Sequence, residues 1–536
     1  MEYIIVQAGG KGTRLGYLTK NKPKALAPVE NLPMLFHLFR KYPDKRFVII
    51  ADYKKDVLHN YLAEFSEVKY QVVDAIGTGT CSGVKQAIDL IPPKEQFMLI
   101  WSDLILPYDF DLPSEYSKSF SVSNDDRSNN VSGKEEAKAD NCNDGNYVGL
   151  SVSFSCRWKY ENDEFSEERS FEYGVAGFFL FKDKSFLEDV PESGELVRWM
   201  QEKNMKFKVW SLAGTREFGI LEEYEKLALE KTRPFNKITV ENDILTKIPV
   251  DEQGKKLSKR ECAWYKKASE YGIKGLPKIY DYEPLKMEYI KGNNVYDCEL
   301  SFDQKKEILR KLVSTLKELH AADSIVSDSF SIKEAYYNKT MKRLSKVEHL
   351  VPFTNEKYIR INNRNCRNIF FYKERFEKRI EALMTTEFKF IHGDCTFSNL
   401  MISYEGEPVL IDPRGYFGFE EYYGDERYDW AKLYYSIVGN YDRFNLKKFS
   451  LDIGGQSIVN GNVIKDIDDD EVRLSIESNG WEGLEKEFFE LTGADEYEIK
   501  LLHAVIWLSL TTYAWQDYDS ICGAFYNGLY YLEEVL

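Results

Sequence analysis

The 536-residue chain has no C-x-x-C pair. Its eight cysteines are scattered at 81, 142, 156, 262, 298, 366, 395 and 522, which argues against zinc ribbons and thioredoxin-like redox motifs. That spacing reads as reduced, structural cysteines of a cytosolic protein. Positive charge is also short: 72 Lys and Arg face 88 Asp and Glu, a net charge of −16. A nucleic-acid binder needs a basic face, so no nucleic-acid partner is expected, although a local basic cluster can still hold a small phosphorylated ligand. No apolar run approaches the roughly 18 residues of a membrane helix, so no membrane insertion is expected. The chain opens on Tyr3-Ile4-Ile5-Val6, which reads as a strand and not as a signal peptide, and the expected location is the cytoplasm. No internal repeat is visible, and a homo-oligomer is left open.

What is present is a composition of 43% hydrophobic and 30% charged residues, that of a soluble globular protein. The length exceeds one ordinary core and favours two to four domains. Aromatic residues are numerous, with 36 Tyr, 33 Phe and 9 Trp, and they cluster from Tyr416 to Phe419 and from Trp507 to Tyr530. Two readings stand: a bulky core, or ring faces that hold a cationic substrate.

Residues 1–107 alternate short apolar runs (Ile4–Val6, Phe47–Ala51, Tyr70–Val73, Phe97–Trp101) with amphipathic segments such as Met34–Lys41 and Gly83–Leu90. Strands separated by helix-length segments predict an α/β fold with a doubly wound, mostly parallel sheet. Residues 117–146 are polar and rich in Ser, Asn and Asp, which reads as a surface insert open to disorder. Strands are expected again over Tyr147–Tyr160 and Gly174–Phe181, a helix over Glu217–Lys231, and a domain boundary near Arg233. After it, Lys237–Val240 and Asp243–Pro249 read as a hairpin turning at Glu241-Asn242. A helix over Lys259–Tyr271 follows, then strands over Pro277–Tyr282 and Leu285–Ile290, and a mainly helical region from about Phe302. That is the order of a two-lobed α+β kinase. The expected domains are 1–232, a small lobe 233–300 and a large helical lobe 301–536.

Two stretches carry phosphate chemistry. Gly9-Gly10-Lys11-Gly12-Thr13-Arg14-Leu15 follows the first strand immediately, and Lys22-Pro23-Lys24 comes within ten residues. Glycines let backbone N–H groups approach phosphate oxygens, and a strand-to-helix turn adds partial positive charge. Lys20 and Lys22 read equally well as solvated surface. This stretch, with Lys24-Ala25-Leu26-Ala27-Pro28-Val29, resembles the sugar-phosphate nucleotidyltransferase family over roughly residues 1–230. The resemblance implies that Ala75-Ile76-Gly77-Thr78-Gly79-Thr80 lies against the base and ribose. It also implies that Asp103 binds metal. Glu217-Phe218-Gly219-Ile220 stands where the family has Asp-x-Gly-Thr, so Glu217 is the second metal carboxylate, one methylene longer. Implied roles follow: Lys11 and Arg14 steady an NTP's triphosphate, Lys24 holds a phosphate monoester, and Mg²⁺ sits on Asp103 and Glu217. Arg157-Trp158 reads better as a surface strand than as an acceptor contact.

Further on, Ile391-His392-Gly393-Asp394-Cys395-Thr396-Phe397-Ser398-Asn399 is followed by Val409-Leu410-Ile411-Asp412-Pro413-Arg414-Gly415. Asp, Asn five residues on, then Asp after an apolar strand is the spacing of a kinase catalytic loop and metal loop. The form resembles the aminoglycoside phosphotransferase and choline kinase family over about residues 233–536. The resemblance implies that Asp394 accepts or orients the substrate hydroxyl, while Asn399 and Asp412 hold Mg²⁺ on ATP. Lys247 would reach the α/β-phosphates with Glu261 as its helix partner, and Met287-Glu288-Tyr289-Ile290 would border the adenine. The family's glycine-rich cover is not apparent, and Arg233-Pro234-Phe235-Asn236 is its candidate replacement. Asp425 and Asp429 read as structural, capping a helix or bracing the catalytic loop.

A kinase makes a phosphate monoester and a nucleotidyltransferase consumes one. The expected function is therefore successive: ATP phosphorylates a small alcohol, and a second NTP, CTP favoured, activates the product. An amino alcohol is slightly favoured over a sugar, for a surface glycan or lipid. A kinase fused to a catalytically dead nucleotide-binding domain is the alternative of another class.

Overall fold

The structure is a computed structural model that describes residues 1–117, 145–227, 236–454, 457–459, 462–464 and 471–536. The polar insert and the stretch around Arg233, including 233–235, lie outside the described residues. Two compact units divide the chain, Met1–Glu230 and Lys231–Leu536. Among the described residues no helix is long and apolar enough to cross a membrane.

In the first unit, strand Tyr3–Gln7 lies between two parallel neighbours, Arg46–Ala51 and Phe97–Trp101, with Lys69–Asp74 parallel on the outer side of Arg46–Ala51. Ile4, Ile5, Val6, Ile49, Leu99 and Ile100 are all fully buried, which is why these strands read as unbroken apolar runs rather than alternating ones. The sheet turns mixed beyond that. Gly174–Phe181 runs antiparallel to Phe97–Trp101 and to Tyr147–Ser151, and Lys208–Ser211 is parallel to Tyr147–Ser151. The expected strand over Tyr147–Tyr160 is interrupted: Tyr147–Ser151 ends the first piece, and Lys159–Glu161 pairs with Glu164–Ser166 in a short hairpin. The helix expected over Glu217–Lys231 is described only over Leu221–Leu227, because Arg216–Glu217 is a strand paired with Leu104–Ile105.

In the second unit, a four-stranded antiparallel sheet runs in the order Asn236–Glu241, Ile244–Pro249, Leu285–Glu288, Ile279–Tyr282. The hairpin turns one residue later than expected, at Asn242 and Asp243, both with positive φ (52° and 60°), the geometry of a tight two-residue turn. Helix Glu252–Tyr271 starts seven residues earlier than the sequence suggested. Asp251 caps it by accepting from the Gly254 N–H at 2.6 Å. Helix Phe302–His320 opens the larger region on a capping box between Ser301 and Gln304. That region is not purely helical. Arg364–Arg367, Tyr358–Ile361, Glu471–Ile476 and Phe449–Ile453 form a second four-stranded sheet that the sequence reading did not foresee.

Candidate active sites

In the first unit the glycine loop leaves strand Tyr3–Gln7 at the C-terminal end of the parallel sheet, where open α/β sheets place their ligands. The Gly10 carbonyl accepts from the Lys24 N–H at 3.3 Å, and the Gly9 carbonyl from the Tyr53 N–H at 3.2 Å. Gly12 holds φ +64°, and a Cβ on it would stand 3.1 Å from that of Lys24, so the loop folds tightly over this lysine. Lys11 is exposed, its Nζ 5.5 Å from the Tyr53 ring centre. Thr13 begins a short helical segment, Thr13–Thr19, that carries the exposed Arg14.

Lys24 Nζ is ion-paired with Asp103 Oδ2, both side chains nearly buried. Glu217 arrives by strand pairing: it lies opposite Leu104, and the next residue, Phe218, donates its N–H to the Asp103 carbonyl at 3.0 Å. Arg14 Nη2 stands 3.9 Å from Glu217 Oε1. Burial and then the charge of Asp103 push the Glu217 carboxyl above its ordinary pKa, with Lys24 and Arg14 pulling the other way. Arg14, Lys24, Asp103 and Glu217 thus form one cluster. Two crowded carboxylate oxygens are a hard donor set that fits Mg²⁺, which completes its octahedron with water and phosphate oxygens.

The second glycine segment has its own structural reason. A Cβ on Gly77 would lie 2.1 Å from the Glu192 carbonyl oxygen, and one on Gly79 2.3 Å from that of Gly194. The Thr78 carbonyl accepts from the Gly194 N–H at 2.9 Å. Gly77, Thr78 and Gly79 are exposed, and among the described residues no hydrogen bond joins them to the Lys24 cluster. Lys22 is buried, against a solvated-surface reading. Trp158 is buried too, its indole N–H donated to Glu195 at 2.6 Å, so Arg157-Trp158 is not a plain surface strand.

In the second unit, Lys247 Nζ reaches both oxygens of Glu261, at 2.8 and 3.0 Å, and Asp412 Oδ1 at 2.5 Å. Burial disfavours the Lys247 ammonium, but Asp412 and Glu261 outweigh it and hold its pKa above the ordinary value. Glu261 is pushed up by burial and by Asp412, while Lys247 opposes the shift. Asp412 occupies the left-handed region at φ +56°, a conformation that non-glycine residues adopt at a cost and that clusters at functional sites.

The catalytic-loop and metal-loop motifs are tied together by His392. Its Nδ1 accepts from the Asp394 N–H at 3.3 Å, which leaves Nε2 protonated to donate to the Ile411 carbonyl at 2.9 Å. Burial keeps this imidazole neutral. Asn399 donates through Nδ2 to the Asp394 carbonyl at 3.0 Å, and its backbone carbonyl accepts from the Ile411 N–H at 3.0 Å. With Nδ2 spent on that bond, the Asn399 side-chain oxygen and the Asp412 carboxylate fit Mg²⁺ in the same way as the pair in the first unit. Asp425 caps helix Glu426–Ile437, and Asp429 accepts from the N–H groups of His392 and Gly393 at 2.9 and 2.7 Å.

Asp394 is half-buried and paired with Lys432 Nζ at 3.0 Å and Arg414 Nε at 3.3 Å. Burial works against its charge, yet Lys432 and Arg414 hold its carboxyl far below the usual range. The sequence reading missed Lys432, although its signal was present: Asp429 and Lys432 are three apart on one helix and share a face. Met287 is buried on its strand opposite Leu245, and Tyr289 is exposed at the end of that sheet. A cavity of about 770 Å³ touches Tyr289 but none of Lys247, Glu261, Asp394, Asn399 or Asp412, so its size does not mark the chemistry. The late aromatics divide. Trp507, Tyr518 and Tyr526 are core, whereas Tyr416 and Tyr428 line a small cleft beside Gly393 and Arg414.

Comparison with known proteins accords with this division. Residues 3–126 match the nucleotidyl transferase family model, and residues 246–440 match that of the phosphotransferase enzyme family. The bifunctional protein GlmU of Methanocaldococcus jannaschii is 30% identical over 120 residues, 22% of this chain and 29% of that protein. The UTP–glucose-1-phosphate uridylyltransferase AglF of Haloferax volcanii is 40% identical over 57 residues, 10% of this chain and 24% of that protein. The chain therefore spans less than a third of the length of either relative. The solved structure of HddC from Yersinia pseudotuberculosis aligns at 20% identity with a TM-score of 0.32, covering 42% of this chain and 98% of that one. The chain thus carries two separate segments similar to known families, nucleotidyl transferases over residues 3–126 and phosphotransferase enzymes over residues 246–440.

Proposed function

We propose that this chain is a bifunctional enzyme: residues 233–536, with lobes 233–300 and 301–536, phosphorylate a small alcohol with ATP, and residues 1–232 join the resulting phosphate ester to a nucleotide. The observation that carries the reading is that each unit assembles its own charged cluster, Lys24–Asp103–Glu217 in one and Lys247–Glu261–Asp412 in the other, where His392 ties the Asp394 loop to Ile411 next to Asp412. One reaction makes what the other consumes.

In the kinase step the acceptor oxygen attacks the γ-phosphorus of ATP, the bond to the β–γ bridging oxygen breaks, and ADP leaves. Asp394, held ionised by Lys432 and Arg414, accepts the hydroxyl's hydrogen bond and aims its oxygen. The hydroxyl's proton passes to this carboxylate as the new P–O bond forms. Lys247, fixed by Glu261, holds the α/β-phosphates. In the nucleotidyl step a phosphate-ester oxygen, steadied by Lys24, attacks the α-phosphorus of the NTP, and pyrophosphate leaves against Lys11 and Arg14. Mg²⁺ on Asp103 and Glu217, and on Asn399 and Asp412, supplies neutralisation of phosphate charge in both reactions.

The test is pyrophosphate release by the whole protein with CTP, UTP, GTP and dTTP, each with ATP and a panel of alcohols and sugars. Release with one NTP that depends on ATP and on one alcohol establishes the coupled reaction; dependence on a sugar makes the product an NDP-sugar. Asp394→Ala should abolish phosphotransfer from ATP yet leave release intact when the ready-made phosphate ester is supplied. Glu in place of the family's Asp at position 217 favours a second reading, in which the first unit binds nucleotide without turnover. Phosphotransfer with no pyrophosphate from any combination selects it.

A further inference from the structure

The kinase reading leaves its acceptor unnamed, and the surroundings of Asp394 bear on it. Four cations gather there. Arg414 and Lys432 pair with Asp394 itself. Lys339 and Arg343 lie four residues apart on the helical stretch Lys339–Val347, so both are on one face. Tyr428 joins the group: Lys339 Nζ and Lys432 Nζ stand 5.6 and 5.8 Å from its ring centre. A small cleft between Gly393 and Tyr428 is lined by both Lys339 and Arg414.

Asp394 is the one carboxylate ion-paired with any of these four cations among the described residues. Arg343 spends one nitrogen on Ser509, at 2.6 Å to its carbonyl and 2.9 Å to its hydroxyl. Burial, and the nearby charge of Arg414, hold its guanidinium below its ordinary pKa, although the rings of Tyr428, Tyr416 and Tyr513 partly offset this. Burial favours a neutral Tyr428, yet Lys339, Lys432 and Arg414 outweigh it and lower the phenol's pKa. Partly desolvated cations in excess of their counter-charges destabilise a folded chain unless an anion joins them.

We propose that the alcohol phosphorylated by the second unit carries an anionic group, a carboxylate or a phosphate ester, bound by Lys339, Arg343 and Arg414 while its hydroxyl meets Asp394. This rests on the kinase reading and narrows it. A cationic amino alcohol would meet like charge in this cleft, and the two tyrosines that line it already carry cations over their rings, Lys339 and Lys432 on Tyr428 and Arg260 on Tyr416. Arg343 and Arg414 each offer a planar fork suited to a two-oxygen anion.

The experiment is ATP turnover by the full chain with three sets of alcohols: cationic (choline, ethanolamine), neutral (glycerol, hexoses) and anionic (glycerate, glycerol 3-phosphate, hexose phosphates), products identified by mass. Turnover confined to the anionic set is expected, and its carboxylate and phosphate members separate the two sources of charge. In Lys339→Met and in Arg343→Met the KM for that acceptor should rise at least tenfold while the KM for ATP stays within about twofold, the signature of lost ground-state binding. Arg343→Lys should restore part of the loss. Among the described residues the Lys339 ammonium has a ring contact and no ion pair, so its variant tests the idea even if Arg343→Met fails to fold. Turnover of cationic or neutral alcohols alone, or an unchanged acceptor KM in Lys339→Met, overturns the inference and leaves the kinase reading standing. Failure of every anionic acceptor overturns it too. Failure of all three sets, with Asp394→Asn hydrolysing ATP as fast as the parent, sinks the kinase reading itself.

Discussion

His320 Nε2 lies 3.0 Å from Asp429 Oδ2, both residues essentially without solvent exposure. The same carboxylate takes the N–H groups of His392 and Gly393, immediately before Asp394. A helix-end histidine on Phe302–His320 therefore fixes the loop that carries the acceptor-facing aspartate. Burial lowers the His320 pKa, but Asp429 and Glu426 outweigh it and raise it above the ordinary value. Asp429 is held low by His320 against the opposing effect of burial.

The pH consequence follows by linkage. A histidine whose folded pKa exceeds its unfolded value contributes stability fully below about pH 6.5, and loses it as the pH rises through the folded value. Asp429, depressed in the fold, contributes above about pH 4 and loses its share in acid. His320→Gln should thus flatten the decline in stability of the second unit on the alkaline side. Breaking one side of a buried pair costs about 3–5 kcal/mol, so the unfolding midpoint should also fall. Denaturant melts of parent and variant at pH 5.5, 7 and 8.5 check both. An identical pH profile in the two proteins would remove His320 from the brace.

Glu261 pairs with Lys247 and lies against Asp412, so its role is to position them. Burial and Asp412 already favour its protonated form. Glu261→Gln should therefore unfold at nearly the parent's midpoint while kcat/KM for ATP falls about ten- to a hundredfold, the loss expected when a phosphate-holding lysine is misplaced. Steady-state kinetics over an ATP series, beside a thermal melt, separates these. A large drop in melting temperature with unchanged ATP kinetics would assign the pair to folding alone.

Much of this was legible in the sequence, and the gaps have physical causes. Strands such as Ile4–Val6 and Phe97–Trp101 declared themselves because both faces are buried; the spacing of Asp394, Asn399 and Asp412 was visible in the sequence, whereas Lys247 and Glu261 were placed by resemblance. The sheet of Tyr358–Ile361, Arg364–Arg367, Phe449–Ile453 and Glu471–Ile476 did not. Its strands alternate burial only partly, and the pairing that closes it, Tyr358–Ile361 with Glu471–Ile476, joins residues more than a hundred apart. Glu217 was placed by analogy, but its strand partner Leu104 could not be read, so a helix was extended over it. The cations about Asp394 were hidden for the same reason: Lys339 and Arg343 meet Arg414 only through the fold. The slight amino-alcohol preference rested on the analogy of a kinase paired with a nucleotidyltransferase, with the late aromatics as one reading of a cation-holding surface.

Glu217 also predicts a pH dependence for the first unit. Its carboxyl is raised by burial and by Asp103, so it takes a proton at higher pH than a free glutamate. A protonated carboxyl is a poor ligand for Mg²⁺. Pyrophosphate release at limiting Mg²⁺ should fall on the acid side, and excess Mg²⁺ should move that limb to lower pH, since metal and proton compete for one site. Glu217→Gln should abolish the limb and raise the Mg²⁺ requirement at least tenfold. An acid limb that ignores Mg²⁺ concentration would exclude Glu217 as its source.

Gly77 and Gly10 form a matched pair of tests. Both lie in glycine segments that resemblance assigns to the nucleotide, but their surroundings differ. Gly77 holds φ +102°, with the Glu192 carbonyl oxygen 2.1 Å from where a Cβ would sit, whereas a Cβ on Gly10 would meet nothing within 4 Å. Gly77→Ala must both leave a backbone region closed to alanine and push back a main-chain oxygen, at a cost of about 1–3 kcal/mol for the strain alone. Gly10→Ala carries neither penalty and should unfold within about 0.5 kcal/mol of the parent. If Gly10 instead lies against the triphosphate, its variant loses NTP affinity at parental stability. Urea melts paired with NTP binding read both effects. A Gly10→Ala protein that binds NTP normally would show that the loop holds phosphate through Lys11 and Arg14 and not through close approach of its backbone.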